Sequence, residues 1–306
     1  NYPYTVDRIG LPFDNPWDSW FRPMGFDFFE DGRLVVATYV GDVWIAEGVD
    51  DDLDEIRWQR IATGLYDPYG LKVVDGEIYV AGRDRIYRLN DLNGDGETDF
   101  FESFFADTDV SSVPVQAFNF SLEVDSKGNF YYAKAGQYTN NDDPGNVIRV
   151  TPDGERQESI ATGFRAPNGV TVGPNDRIFV SDNKGNWSPA NKISIIEEGG
   201  FYGYIPSIKT EGWAPGPKEY EMRPDQVTYP EDHKLMPDTF RQPIMWSPQE
   251  FDNSPGNGQF TPKEWGPLGG RLLWTSYGKG WVYDVMMQEV DGVTQAAGSA
   301  LPFQFD

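Results

Sequence analysis

The sequence predicts an all-β fold of the β-propeller type, and three observations predict it. Aromatic residues make up 15% of the 306-residue chain, beside 33 Gly and 23 Pro, a mixture that suits short strands and tight turns better than helices. A Gly- or Pro-marked turn, an alternating strand, a polar turn and a second strand rich in Val, Ile, Tyr and Phe recur five times. The period is that of four short antiparallel strands. Gly25, Gly70, Ser121 and Gly169, taken as equivalent, stand 45, 51 and 48 residues apart, the spacing of a propeller blade.

In chain order, Pro23-Met24-Gly25-Phe26 opens the first copy and leads into a strand over residues 32–37. Pro68-Tyr69-Gly70-Leu71 leads into 76–80, Phe120-Ser121-Leu122 into 128–131, and Pro167-Asn168-Gly169-Val170 into 176–180. The last copy is read as starting at Trp246-Ser247 and running into 270–274. Each copy is followed by a further strand, at residues 42–45, 85–88, 146–149, 192–195 and 280–283, as a radial blade requires. The segment Ile-Ala-Thr-Gly occurs at 61–64 and again at 160–163, two copies apart, which supports this register. Nothing resembles an interdomain linker, so residues 1–306 are expected to form one domain with a Pro-rich insertion at about 203–243.

Composition excludes several functions. With 25 basic and 49 acidic residues the formal charge is −24, a field that repels phosphate backbones and anionic membrane surfaces, so nucleic acid is not an expected partner. The absence of cysteine removes disulfides, thiolate metal sites, Cys nucleophiles and covalently attached c-type haem within the chain. No apolar run is long enough to span a membrane, and the start at Asn1 shows no signal peptide, as expected of a processed mature chain or equally of a trimmed one.

The sharpest motif runs from Asp91 to Glu102, Asp-Leu-Asn-Gly-Asp-Gly-Glu-Thr-Asp-Phe-Phe-Glu. It fits the calcium-loop pattern D-x-[DN]-x-[DN]-G-x5-E at every fixed position. Calcium is a hard cation that takes six to eight oxygens. The spacing offers side chains from Asp91, Asn93, Asp95, Asp99 and Glu102 and the backbone carbonyl of Glu97, with Gly96 making the turn. The flanks are strand-like, so the expected role is to staple a loop between strands. The carboxylates at 50–55 lack the turn glycine and the alternating spacing and read as a solvated turn.

A second group of polar residues clusters at strand ends. Arg165 can hold a carboxylate or quinone oxygen in a forked geometry, and Asp182, Asn183 and Asn191 can orient hydroxyls beside the face of Trp187. Asx-type turn bonds account equally well for Asn168, Asn183 and Asn191. His233 is the single histidine; it lies in the Pro-rich stretch without a partner pattern and reads as a surface residue. The chain has no G-x-S-x-G elbow, which counts against acyl transfer.

Gly70-Leu71-Lys72-Val73-Val74-Asp75-Gly76 before the calcium-type loop, Thr162-Gly163-Phe164-Arg165 with Pro167-Asn168-Gly169, and Ser181-Asp182-Asn183 with Gly199-Gly200-Phe201-Tyr202-Gly203 resemble the glucose/sorbosone dehydrogenase-like propellers. The nearest likeness is to the membrane-bound dehydrogenase domains of planctomycete and verrucomicrobial bacteria. The resemblance covers most of the chain. It implies six blades, the last following Asp306, and a periplasmic or extracellular location. It also implies a sugar or alcohol dehydrogenase using pyrroloquinoline quinone (PQQ), often beside a cytochrome c acceptor. On that reading Arg165, Asn168, Asp182, Asn183 and Trp187 form the cofactor site. A calcium-dependent lactone hydrolase, with Asn168 on a central metal and Asp27 near a second ligand position, is the alternative enzyme. A glycan- or protein-binding propeller without catalysis is the third reading.

Overall fold

The computed structural model describes residues 4, 6–112, 117–137, 139, 141–185, 188–204 and 238–304. Trp187, His233 and most of the Pro-rich stretch (205–237) lie outside the described residues. Among the described residues there is no α-helix. Besides strands, the described residues form two single 3-10 turns, Pro174–Asp176 and Gly266–Leu268.

The strands of the described residues form five sheets. The first holds β1 (Pro23–Phe28), β2 (Leu34–Thr38), β3 (Val43–Glu47) and β4 (Arg57–Ala62), and the second β5 (Gly70–Val74), β6 (Glu77–Ala81), β7 (Arg85–Asn90) and β8 (Phe100–Ala106). The third holds β9 (Asn119–Val124), β10 (Phe130–Lys134), β11 (Val147–Val150) and β12 (Gln157–Thr162). The fourth begins β13 (Gly169–Val172), β14 (Ile178–Asp182), β15 (Asn191–Ile195). A two-residue strand, β16 (Gly200–Phe201), then adds in parallel to β12, before β17 (Met245–Ser247) closes the fourth sheet. The fifth holds β18 (Pro255–Phe260), β19 (Leu272–Ser276), β20 (Trp281–Val290) and β21 (Val293–Gln304). Apart from β16, the recorded pairings are antiparallel between sequence neighbours within each sheet, the meander that a Gly-punctuated alternating pattern specifies.

One expected boundary moves. Trp246-Ser247 does not open the fifth repeat; Met245–Ser247 pairs with Asn191–Ile193 as the outer strand of the fourth sheet. The fifth sheet opens instead at Pro255–Phe260. That segment, Pro-Gly-Asn-Gly-Gln-Phe, has no β-branched residue and two glycines, so local propensity reads it as loop and only pairing with β19 makes it a strand.

The chain divides into two compact units, one made of 1–110, 121–123 and 153–155 and the other of 111–120, 124–152 and 156–306. In the first, Val35, Ala37, Val43, Ile61, Leu71, Ile78 and Val80 form one buried cluster. In the second, Tyr131, Val147, Phe164, Val170 and Val180 form another, and Phe179, Ile193, Leu272, Trp274 and Tyr283 a third. The repeated glycine at the head of each copy has a steric cause. A Cβ on Gly25 would meet the Leu71 nitrogen at 2.7 Å, one on Gly70 the Ser121 carbonyl at 2.2 Å, and one on Gly169 the Gly256 carbonyl at 2.4 Å. First strands approach one another too closely for any side chain there.

Candidate functional site

The calcium-type segment is the connection between β7 and β8, where Asn90 pairs with Phe100. Its carboxylates curl the backbone inward. Asp91 accepts the Gly94 and Gly96 amides at 2.7 and 2.8 Å, Asp95 accepts Glu97 N–H at 2.9 Å, and Asp99 accepts Leu92 and Asn93 N–H at 2.8 and 3.1 Å. The Gly96 amide, with the other loop N–H groups, holds the Asp91 carboxyl below its ordinary range. Gly96 turns the chain at φ +85°. The NH2 of Asn93 donates to both Asp95 and Asp99, at 3.1 and 3.2 Å, so the loop already draws these two carboxylates to one donor.

Glu102 lies elsewhere. It sits on β8 and its carboxylate is held by Arg88 at 2.6 Å and by Asn90 at 3.4 Å. Among the described residues no three His, Cys, Asp or Glu side chains converge as a ready-made metal centre. As a donor set, Asp91, Asn93, Asp95, Asp99 and the Glu97 carbonyl suit a hard cation, while Glu102 is committed to Arg88. The acidic run at 50–55 is a solvated turn, in which Asp50 accepts the Asp52 and Leu53 amides at 3.1 Å.

The second polar group is built on two connections of the larger unit, from β12 to β13 and from β14 to β15. Asp182, at the end of β14, is fully buried and faces Lys192 across the strand pair. Their charged atoms are 3.1 Å apart. Asp182 also accepts Arg165 N–H at 3.1 Å and Ala166 N–H at 2.8 Å, so its role is to pin the first connection to β14. Lys192 donates to Ser188 Oγ at 2.9 Å and lies 5.7 Å from the Phe164 ring centre. Burial pulls the Lys192 ammonium below its ordinary pKa, and Asp182 opposes that pull.

Asn183 donates to the Ala166 carbonyl at 3.0 Å, and Asn191 accepts Lys184 N–H at 2.8 Å and donates to the Asp252 carbonyl. Backbone groups of other segments, and not Asx turns of their own, therefore engage Asn191 and the amide nitrogen of Asn183. The half-buried Arg165 has no carboxylate within ion-pair distance among the described residues. Its side chain runs against Gly185, where a Cβ would fall 2.4 Å from Arg165 Cδ. Arg165, Asn168 and Asn183 thus stand at neighbouring strand ends around one buried ion pair, while Trp187 lies outside the described residues.

Residue patterns missed one cluster. In the smaller unit Lys72 Nζ lies 3.2 Å from Glu123 and 3.6 Å from Asp27, and Asp27 also accepts Val73 N–H at 2.9 Å. Burial pushes the Glu123 carboxyl up to about 7, against the opposing pull of Lys72. Lys72 is itself raised, the attraction of Glu123 and Asp27 outweighing burial. The signal was present: each residue follows its repeat position, Gly25, Gly70 or Ser121, by two.

No protein-family model and no curated protein matches this chain. Solved structures do. A calcium-containing family AA12 carbohydrate-active enzyme from Trichoderma reesei superposes with a TM-score of 0.65 at 15% identity, covering 92% of this chain and 81% of that one. The PQQ-bound aldose sugar dehydrogenase of Streptomyces coelicolor gives 0.61 at 14% identity, over 92% and 82%. A gluconolactonase from Xanthomonas campestris gives 0.53 at 17% identity, over 93% and 78%. The fold is a β-propeller.

The superposition on the aldose sugar dehydrogenase, at a TM-score of 0.61, is better than that on the gluconolactonase, at 0.53. The loop from Asp91 and the wall around Arg165 are this propeller's two concentrations of polar chemistry foreseen from residue types. Among its described residues no helix is long and apolar enough to cross a membrane.

Proposed function

We propose that this chain is a calcium-carrying propeller of the quinoprotein sugar dehydrogenase kind, acting on a sugar or alcohol. The observation that carries the reading is Arg165. It is a half-buried guanidinium without an acidic partner among the described residues, held by its own backbone on the fully buried Asp182–Lys192 pair. A guanidinium fork suits a planar, carboxylate-bearing group such as PQQ. The amide of Asn168 and the carbonyl oxygen of Asn183 would orient it or its substrate, Asp182 would fix their loop, and Trp187 is assigned as a flat wall. When bound, the quinone would accept two electrons and two protons from the sugar carbinol and return the electrons to an acceptor, for which a cytochrome c is the proposed partner.

The proposal takes residues 1–306 as one propeller domain with the insertion at about 203–243, a six-bladed architecture, and a periplasmic or extracellular location. Calcium would be held by Asp91, Asn93, Asp95, Asp99 and the Glu97 carbonyl, with Glu102 joining only on leaving Arg88. The lactone hydrolase reading ranks second, because the Asp27 it relies on is engaged by Lys72 and by Val73 N–H. Titrating the purified chain with PQQ in calcium buffer by calorimetry, alongside dye reduction over a panel of sugars and alcohols, tests the first reading. Saturable binding with turnover is expected. Calcium binding without quinone binding would transfer the weight to a non-catalytic propeller.

A further inference from the structure

The smaller unit carries an exposed aromatic ledge, outside the chemistry considered above, where the segment before β1 meets the turn between β2 and β3. Trp20 and Tyr39 are 56% and 39% exposed, with ring centres 6.0 Å apart at 63°. The guanidinium of Arg22 lies against both, 5.4 Å from the Trp20 ring centre and 4.9 Å from that of Tyr39. In a chain with 49 acidic residues, Arg22 has no carboxylate within ion-pair distance among the described residues. Arg60 and Arg83 differ, lying 3.8 Å from Asp42 and 2.6 Å from Asp67.

The ledge is held in place. Tyr39 N–H donates to the Arg22 carbonyl at 2.9 Å, and the Tyr39 ring stacks on the buried Tyr69 at 5.9 Å and 22°. The preceding loop is tied by Asn15, which donates to the Pro12 and Ser19 carbonyls at 2.9 Å and accepts the Trp17 and Ser19 amides. Rings presented on an ordered turn bind without the ordering cost that a loose loop would incur.

The surface therefore offers the exposed rings of Trp20 and Tyr39 beside a guanidinium that has no acid within ion-pair distance among the described residues. A ligand that uses both has an apolar ring face and a single carboxylate. Polyanions do not qualify, because the −24 charge of the chain repels them. A lone carboxylate at Arg22 responds chiefly to its immediate surroundings, since physiological salt screens charges beyond about 8 Å. A uronic acid has this combination: the C–H face of its pyranose can lie on an aromatic ring, and its carboxylate can pair with the arginine fork. We propose that the Trp20–Arg22–Tyr39 ledge binds an oligosaccharide ending in a uronate, independently of any chemistry at Arg165.

The test compares cellobiouronate with cellobiose by calorimetry and tryptophan emission, on the whole chain and on Trp20→Ala and Arg22→Gln. Cellobiouronate is expected to bind about tenfold or more tightly than cellobiose, the worth of one charged hydrogen-bonded contact. Arg22→Gln should erase that preference, and Trp20→Ala should weaken both sugars. Trp20→Phe, which keeps a ring, should bind like the parent, and unchanged urea midpoints would establish that the variants fold. Equal affinity for the two sugars, binding unaffected by Arg22→Gln, or no binding of either would overturn the proposal. So would capture of a protein or vesicle by the same residues in place of the sugar.

Discussion

Replacing Glu123 with Gln probes an acid whose protonation falls near neutrality because of where the fold puts it. Burial pushes its carboxyl from 4.5 to about 7 although Lys72 lies 3.2 Å away. The folded chain therefore binds this proton more tightly than the unfolded chain between those two values. Stability is then highest below the unfolded pKa and falls as pH rises toward the folded one, the reverse of an acid lowered by a salt bridge. With one pKa unit worth about 1.4 kcal/mol, the loss between about pH 5.5 and about pH 8 comes to about 2 kcal/mol. Both conditions keep the chain above its isoelectric point of 4.3, and Lys72, raised, stays charged throughout. Glu123→Gln cannot titrate, so its urea-unfolding free energy, followed by tryptophan emission, should gain about 2 kcal/mol on the parent between the two pH values. Parallel pH dependence of the two proteins, within about 0.5 kcal/mol, would refute the assignment of this proton to Glu123.

Other outcomes are equally definite. Calcium at about a hundred times its dissociation constant should stabilise the chain by about 2.7 kcal/mol, a rise in thermal midpoint that Asp95→Ala abolishes and that Glu102→Gln leaves largely intact. Lys192→Met strands a fully buried carboxylate and should cost about 3–5 kcal/mol in urea unfolding, far more than Arg149→Met, whose acidic partners Glu158 and Glu198 are solvent-exposed. Arg165→Gln should abolish quinone binding in calorimetry while leaving the urea midpoint unchanged, since the Asp182 contact is made by the Arg165 backbone. Gly70→Ala places a Cβ 2.2 Å from the Ser121 carbonyl and should destabilise by about 1–3 kcal/mol, read from the same urea titration.

The repeat was legible because the blade period lies in local chemistry. Gly or Ser at the head of each strand set, alternation within strands and polar turns between them are properties of neighbouring residues. The fifth repeat was misplaced for a matching reason. Pro255–Phe260 carries no strand-forming signal of its own and becomes a strand only by pairing with Leu272–Ser276. Likewise the polar residues around Arg165 were recognisable by type, but their division of labour was not. Asp182 reads as a hydroxyl-orienting acid in sequence, yet the fold buries it against Lys192 and two backbone amides.

By itself the sequence determined the all-β class, the spacing of the calcium-type loop and the exclusion of cysteine chemistry. Each of these follows from composition, charge or contacts within about a dozen residues. Only the tertiary structure decided which acids are free. Glu102 fits the calcium pattern but is claimed by Arg88, a cross-strand neighbour. Glu123 carries no motif but becomes a near-neutral acid because β1, β5 and β9 bring Asp27 and Lys72 to it in a desolvated place. Charge and solvation depend on partners distant in sequence, and those partners exist only once the strands have paired.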